Sequence, residues 1–204
     1  MDYKIGGKMM YNYIEKQIYN SIEVKKYILE NKEILNKIIE VSNLTVEAYR
    51  KGKKTIIAGN GGSAADAQHM AGEFVSRFYF DRPGLASLAL TTDTSILTAI
   101  GNDYGYERVF ARQLEANGNK GDIFFAISTS GNSKNIIEAL KVCKEKGIIS
   151  IGLTGSKECK MDDLCEYMIK IPSIETPRIQ ESHLMIEHII CAIVEKEIFK
   201  KEKG

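Results

Sequence analysis

A short apolar run that stops at a glycine- or serine-rich loop and passes into a helical stretch occurs at Thr55 to Arg77 and again at Asp122 to Lys146. A third run with its own polar loop follows at Ile148 to Lys157. Such runs are too short for core helices and lack alternation, which is the pattern of strands covered on both faces. Strands of this kind alternating with helices of ten or more residues require a parallel sheet, because each crossover carries the chain back over a face. The repeat therefore predicts an α/β protein, an open three-layer α/β/α sandwich with a mainly parallel sheet. Leu85 to Leu90 and Glu166 to Ile171 read as further strands. Thr94 to Asn117 reads as mostly helical, and a long helix from about Arg178 to Lys201 closes the chain. Ahead of the sheet, apolar residues at helical spacing (Ile14, Ile18, Ile22, then Ile28, Leu35, Ile38, Ile39, Leu44) predict two packing helices broken near Asn31, covering a sheet or a partner subunit. Nothing divides residues 9–204, so they form one domain. Residues 1–8 read as a flexible lead or an expression remnant.

Charge and composition exclude several function classes. The 28 Lys and Arg nearly balance 27 Asp and Glu, leaving no whole-molecule field to draw nucleic acid or an anionic membrane. No apolar run approaches the ~18 residues of a membrane span, and the start has no export signal. Cys143, Cys159, Cys165 and Cys191 form no CxxC pair and are expected to be reduced core residues, which favours the cytoplasm. The terminal KKEKG reads as a solvated, frayed end.

In parallel sheets ligands gather beyond the carboxyl ends of the strands, where the most polar loops of this chain fall. Ser128-Thr129-Ser130-Gly131-Asn132-Ser133 leaves the strand IFFAI and enters a helix near Lys134. Hydroxyls and free first-turn amides there suit a phosphate, although a serine-rich turn with Ser133 as helix cap explains the same residues equally well. Gly59-Asn60-Gly61-Gly62-Ser63 allows close backbone approach but matches neither a Walker A loop nor a dinucleotide fingerprint. Ser63 and Asp66 resemble a capping box. His69 and Glu73, four apart on the next helix, share a face and could hold one metal or be an ordinary surface pair. The last helix offers Gln180, His183, Glu187 and His188. His183 could be a packed core histidine and Glu187 a solvated acid. Gly101 to Tyr106 reads as a turn in which Asn102 and Asp103 could receive sugar hydroxyls.

Taken in order, GNGGS, HxxxE, GND, STSGNS and RIQExHxxxxH resemble the phosphoheptose isomerase family of the sugar isomerase (SIS) domain proteins, from about Tyr11 to the last helix. The resemblance implies an SIS fold and conversion of sedoheptulose 7-phosphate to D-glycero-D-manno-heptose 7-phosphate through an enediol, for bacterial surface heptose. It implies a phosphate site at Ser128, Thr129, Ser130 and Ser133, with the sugar lined by Asn60, Gly61, Gly62, Ser63, Glu73, Asn102, Asp103 and Gln180. It also implies one zinc per subunit on His69, Glu73, Gln180 and His188, Glu73 as general base, His188 as general acid, and a homotetramer. Some members carry Asp where this chain has Pro177. Within the same superfamily stand a non-catalytic regulator that binds the replication initiator, phosphosugar-sensing modules, and isomerases of other sugar phosphates. Retention of both Glu73 and His188 favours the enzyme.

Overall fold

The computed structural model describes residues 7–199. Two helices, α1 (Gly7–Glu30) and α2 (Lys32–Arg50), precede β1 (Thr55–Gly59), α3 (Gly62–Val75), β2 (Ser87–Ala89), α4 (Thr94–Tyr104) and α5 (Val109–Asn117). Then come β3 (Ile123–Ile127), α6 (Lys134–Lys146), β4 (Ile149–Thr154), β5 (Tyr167–Lys170) and α7 (Thr176–Phe199). The break between the first two helices falls at Asn31, whose Oδ1 accepts the Glu33 and Ile34 amides at 3.0 and 3.1 Å and so caps α2. Residues 1–6 and 200–204 lie outside the described residues, and with them the expected end of the last helix. That helix begins at Thr176, two residues earlier than expected, with Pro177 in its first turn, where a missing amide costs nothing.

The five strands are all parallel, in the order β2-β1-β3-β4-β5. Their side chains alternate between two cores. Ile57, Ile123, Phe125, Ile127, Ile151 and Leu153 join residues of α2, α3 and α7 on one face. Ile56, Ala58, Phe124 and Ala126 join residues of α4, α5 and α6 on the other. This is the three-layer sandwich. Every residue of β1 and β3 is buried, and each large side chain so removed from water contributes about 2 to 3 kcal/mol. One detail departs from expectation: β2 is shorter than Leu85 to Leu90, although the Leu90 amide still donates to Ile57 O at 2.9 Å. Between β4 and β5 the crossover carries a short 3-10 turn, Lys160–Asp163.

At the amino end of the sheet, Lys54 Nζ lies 2.6 Å from Asp122 Oδ2, and the same buried carboxylate accepts the Lys54 and Asn119 amides. Ligand-competent loops lie at the opposite end. Of the amphipathic pair, α2 buries Ile34, Ile38, Val41 and Val46, whereas α1 buries Ile28, packs Val24 partly against the core and leaves its other large apolar residues exposed.

Candidate active site

From β1 the chain proceeds outward to β2, then returns to place β3 on the other side of β1. Helices therefore leave β1 and β3 in opposite directions, and a crevice opens between their carboxyl ends, the usual ligand position in such sheets. Gly59 and Ile127 are register partners at that edge, so the two loops singled out in the sequence are neighbours. Asn60 and Asn135 join them by a reciprocal amide pair, 2.9 and 2.8 Å.

The Ser128 to Ser133 loop is held from three sides. Ser128 donates its amide to Leu153 O, Gly155 donates to Thr129 O, and Met161 donates to Gly131 O. Gly131 takes φ +63, and a Cβ there would stand 2.2 Å from Cys159 Sγ, so only glycine fits. Ser133 occupies the cap position of α6, but its hydroxyl makes no capping bond. It lies 2.9 Å from Ser128 Oγ, inside the loop. The Ile136 amide donates to Ser133 O at 3.0 Å, but the Lys134 and Asn135 amides have no carbonyl a turn behind them and suit an anion. Thr129 and Ser130 border a cleft of about 320 Å³ closed by the β4 loop, including Lys157, and by the start of α7.

On α3, His69 Nε2 lies 3.4 Å from Glu73 Oε1, and His188 from α7 brings its own Nε2 to 2.7 Å from that of His69. One ring donates and the other accepts, with the ring planes 67° apart. The three ligand atoms all lie within 4.8 Å of one another. Two imidazole nitrogens and one carboxylate oxygen are a donor set that suits zinc with a position left open. Gln180, the fourth residue expected here, turns its amide toward α3: Nε2 is 3.5 Å from Asp66 Oδ2, and a Cβ on Gly62 would fall 1.9 Å from it. Gly62 is what lets Gln180 lie against the first turn of α3.

Several residues sit otherwise than their sequence suggested. Ser63 is not a cap. The chain turns at Gly61 (φ +58) and α3 begins at Gly62, which draws Ser63 into the helix, buried, and leaves Asp66 facing Gln180. Burial raises the Asp66 carboxyl above its usual range despite that contact. Asn102 and Asp103 belong to the last turn of α4, because the turn falls later, at Gly105. Both are exposed, with Asn102 Nδ2 bonded to Asp103 Oδ1. Tyr106, just beyond, donates to Asn60 Oδ1 at 3.2 Å. His183 is a core residue with Nε2 3.3 Å from Thr154 O, and burial depresses it to about 4. Glu187 is the reverse of a solvated acid. It is fully buried, neither oxygen has a hydrogen-bond partner among the described residues, and burial, reinforced by Asp66, pushes it up to about 8.

A family model described as SIS domain matches residues 20–155. The phosphoheptose isomerase of Aneurinibacillus thermoaerophilus is 66% identical over 193 residues, covering 95% of this chain and 98% of its own. The chain belongs to the phosphoheptose isomerase family. It is accordingly an isomerase. Solved phosphoheptose isomerases from Neisseria gonorrhoeae (37% identical, TM-score 0.86) and Francisella tularensis (31%, TM-score 0.88) each superpose on 92% of the chain and on 99% and 98% of their own. The SIS fold inferred from the motifs is therefore that of the phosphoheptose isomerases. Among the described residues no helix is long and apolar enough to cross a membrane.

Proposed function

We propose that this isomerase interconverts sedoheptulose 7-phosphate and D-glycero-D-manno-heptose 7-phosphate in the cytoplasm, as a zinc-dependent homotetramer supplying bacterial surface heptose. The observation that carries this reading is the convergence of His69, Glu73 and His188 from two helices, with Glu73 and His188 supplying a base and an acid at one point. The hydroxyl loop of β3 lies at the carboxyl ends of the strands, where α3 and α7 begin. Ser128, Thr129, Ser130, Ser133 and the α6 amides hold the phosphate. Asn60, Gly61, Gly62, Ser63, Asn102 and Asp103 line the sugar, and the Tyr106 bond to Asn60 supports bringing the end of α4 to that loop.

Isomerisation moves one proton between adjacent carbons. Glu73 takes a proton from C1 while His188 gives one to the C2 oxygen, forming the enediol. Glu73 then returns its proton to C2 as the C1 hydroxyl releases its own to His188, which leaves the aldose and restores both groups. His69, Glu73, His188 and Gln180 would hold the zinc, which when bound polarises the sugar oxygens and stabilises negative charge on them. The phosphate grip is remote from C1 and C2, and its binding energy serves to align them with Glu73. Four free cysteines are consistent with a reducing compartment.

The test is turnover of sedoheptulose 7-phosphate by metal-free and zinc-reconstituted protein, with Glu73→Gln and His188→Ala alongside. The expected result is zinc-dependent activity lost by ~10²-fold or more in each variant. An inactive wild type that binds the sugar phosphate would instead place the chain with the non-catalytic SIS regulators.

A further inference from the structure

A buried ion pair outside the reacting cluster ties its two helices together. Arg82 stands in the irregular segment between α3 and β2, and Glu195 lies two turns beyond His188 on α7. Their side chains are 2% and 1% exposed. Arg82 Nε donates to Glu195 Oε1 at 3.0 Å, Nη2 donates to Glu73 O at 2.8 Å, and Nη1 donates to Phe74 O at 2.6 Å and to Pro83 O at 3.0 Å. Glu73 and Phe74 belong to the last turn of α3, where carbonyls lack an amide ahead of them and the helix dipole favours a cation. Glu195 also accepts the Phe78 and Tyr79 amides, both at 2.7 Å. Phe78, fixed by that bond, sets its ring 5.7 Å from that of His188. Burial alone would raise the Glu195 carboxyl, but the Tyr79 and Phe78 amides and the guanidinium outweigh it and hold it below its usual value.

A buried ion pair is weak evidence of a stabilising role, since apolar side chains of like size often serve as well. An apolar pair could not, however, hold two carbonyls of α3, two amides of the connecting segment and α7 together. We propose that Arg82 and Glu195 are a positioning pair, fixing Glu73 through its own carbonyl and His188 through Phe78 so that the three ligand and acid-base groups keep their spacing. The inference rests on the roles given above to Glu73 and His188.

The variant to make is Arg82→Met with Glu195→Gln, which removes the clamp and leaves no unpaired buried charge, together with Arg82→Lys alone. A stability control is Lys54→Met with Asp122→Asn, which removes the buried pair at the far end of the sheet. The measurements are zinc affinity by chelator competition and kcat and KM for sedoheptulose 7-phosphate at saturating zinc. For the clamp variant, zinc affinity and kcat are each expected to fall ~10 to 100-fold, the usual cost of losing groups that orient metal ligands, with KM within about threefold. Arg82→Lys, which keeps the charge but not the fork, should recover part of kcat. The control should lose melting temperature while keeping both. Wild-type zinc affinity and kcat in the clamp variant, or an equal fall in the control, would overturn the proposal. Zinc affinity is read without substrate, so a wild-type chain that turned over no heptose phosphate would sink the isomerase reading while the affinities still decided the clamp.

Discussion

At the scale of single residues, the site depends on one missing methyl group. Gly62→Ala would drive a Cβ into the Gln180 amide, and since a displacement of about 1 Å near the chemistry costs up to ~10²-fold, kcat should drop by at least ~10-fold with the melting temperature little changed. Unchanged kinetics in that variant would show that Gln180 is free to move. His183 makes a different prediction, about pH. Its ring is held neutral down to about 4, while the unfolded chain binds that proton from the ordinary 6.5. Between those values the unfolded state carries more protons, so stability rises with pH across the window and is lost on acidification, by on the order of 3 kcal/mol. His183→Gln should flatten the acid limb of the melting temperature measured from pH 7 to 4, and a limb as steep as wild type would assign acid sensitivity to other groups. Periodicity could suggest that His183 is buried, but it could not reveal that Glu187, one helical turn on, is buried with no hydrogen-bond partner among the described residues. An acid four residues from a histidine looks the same in sequence whether it faces water or α3.

Among the elements, the strands were the most legible, because an unbroken apolar run such as IFFAI has no other place than the middle of a sheet covered on both sides. The helix starts were less so. Ser63 and Asp66 have the letters of a cap, yet Gly61 turns the chain two residues sooner, and backbone freedom at a glycine outweighs a side-chain signal nearby. Asn102 and Asp103 looked like turn residues for the same reason, their composition, while the turn itself waited for Gly105. Arg82 and Glu195 are 113 residues apart, and a single sequence offers only the hint of an acid on the apolar stripe of α7. The β3 loop yields a prediction at this scale. Gly131→Ala adds about 1 to 2 kcal/mol of left-handed strain to the contact with Cys159, enough to raise KM for the sugar phosphate ~10-fold or more. Combining it with Cys159→Gly, which takes away both the Sγ at 2.2 Å and the Cβ at 2.6 Å, should restore part of the loss by removing that clash but not the strain. A double variant no better than the single one would leave strain as the whole effect.

For the whole molecule, α1 is covered only toward its end, at Val24 and Ile28, and its earlier apolar residues are open: Tyr11, Ile14, Ile18 and Ile22 are each more than half exposed. A helix with so much apolar surface in water is explained by further copies of the chain in the proposed homotetramer. Ile18→Glu should therefore shift the assembly to smaller species at micromolar concentration in light scattering, and a monomeric wild type would remove the basis for the tetramer. The placement of His188 and Glu195 on α7 bears on how the protein is made. His69 waits for a partner 119 residues further along, and the acid, the clamp and Gln180 all arrive with the last described helix. During synthesis the sheet can pair and the phosphate loop can form while this chemistry is still incomplete. A nascent or prematurely stopped chain that lacks α7 has half of the proposed ligand set and lacks the proposed acid, so partial products of translation are expected to carry no stray enolising activity.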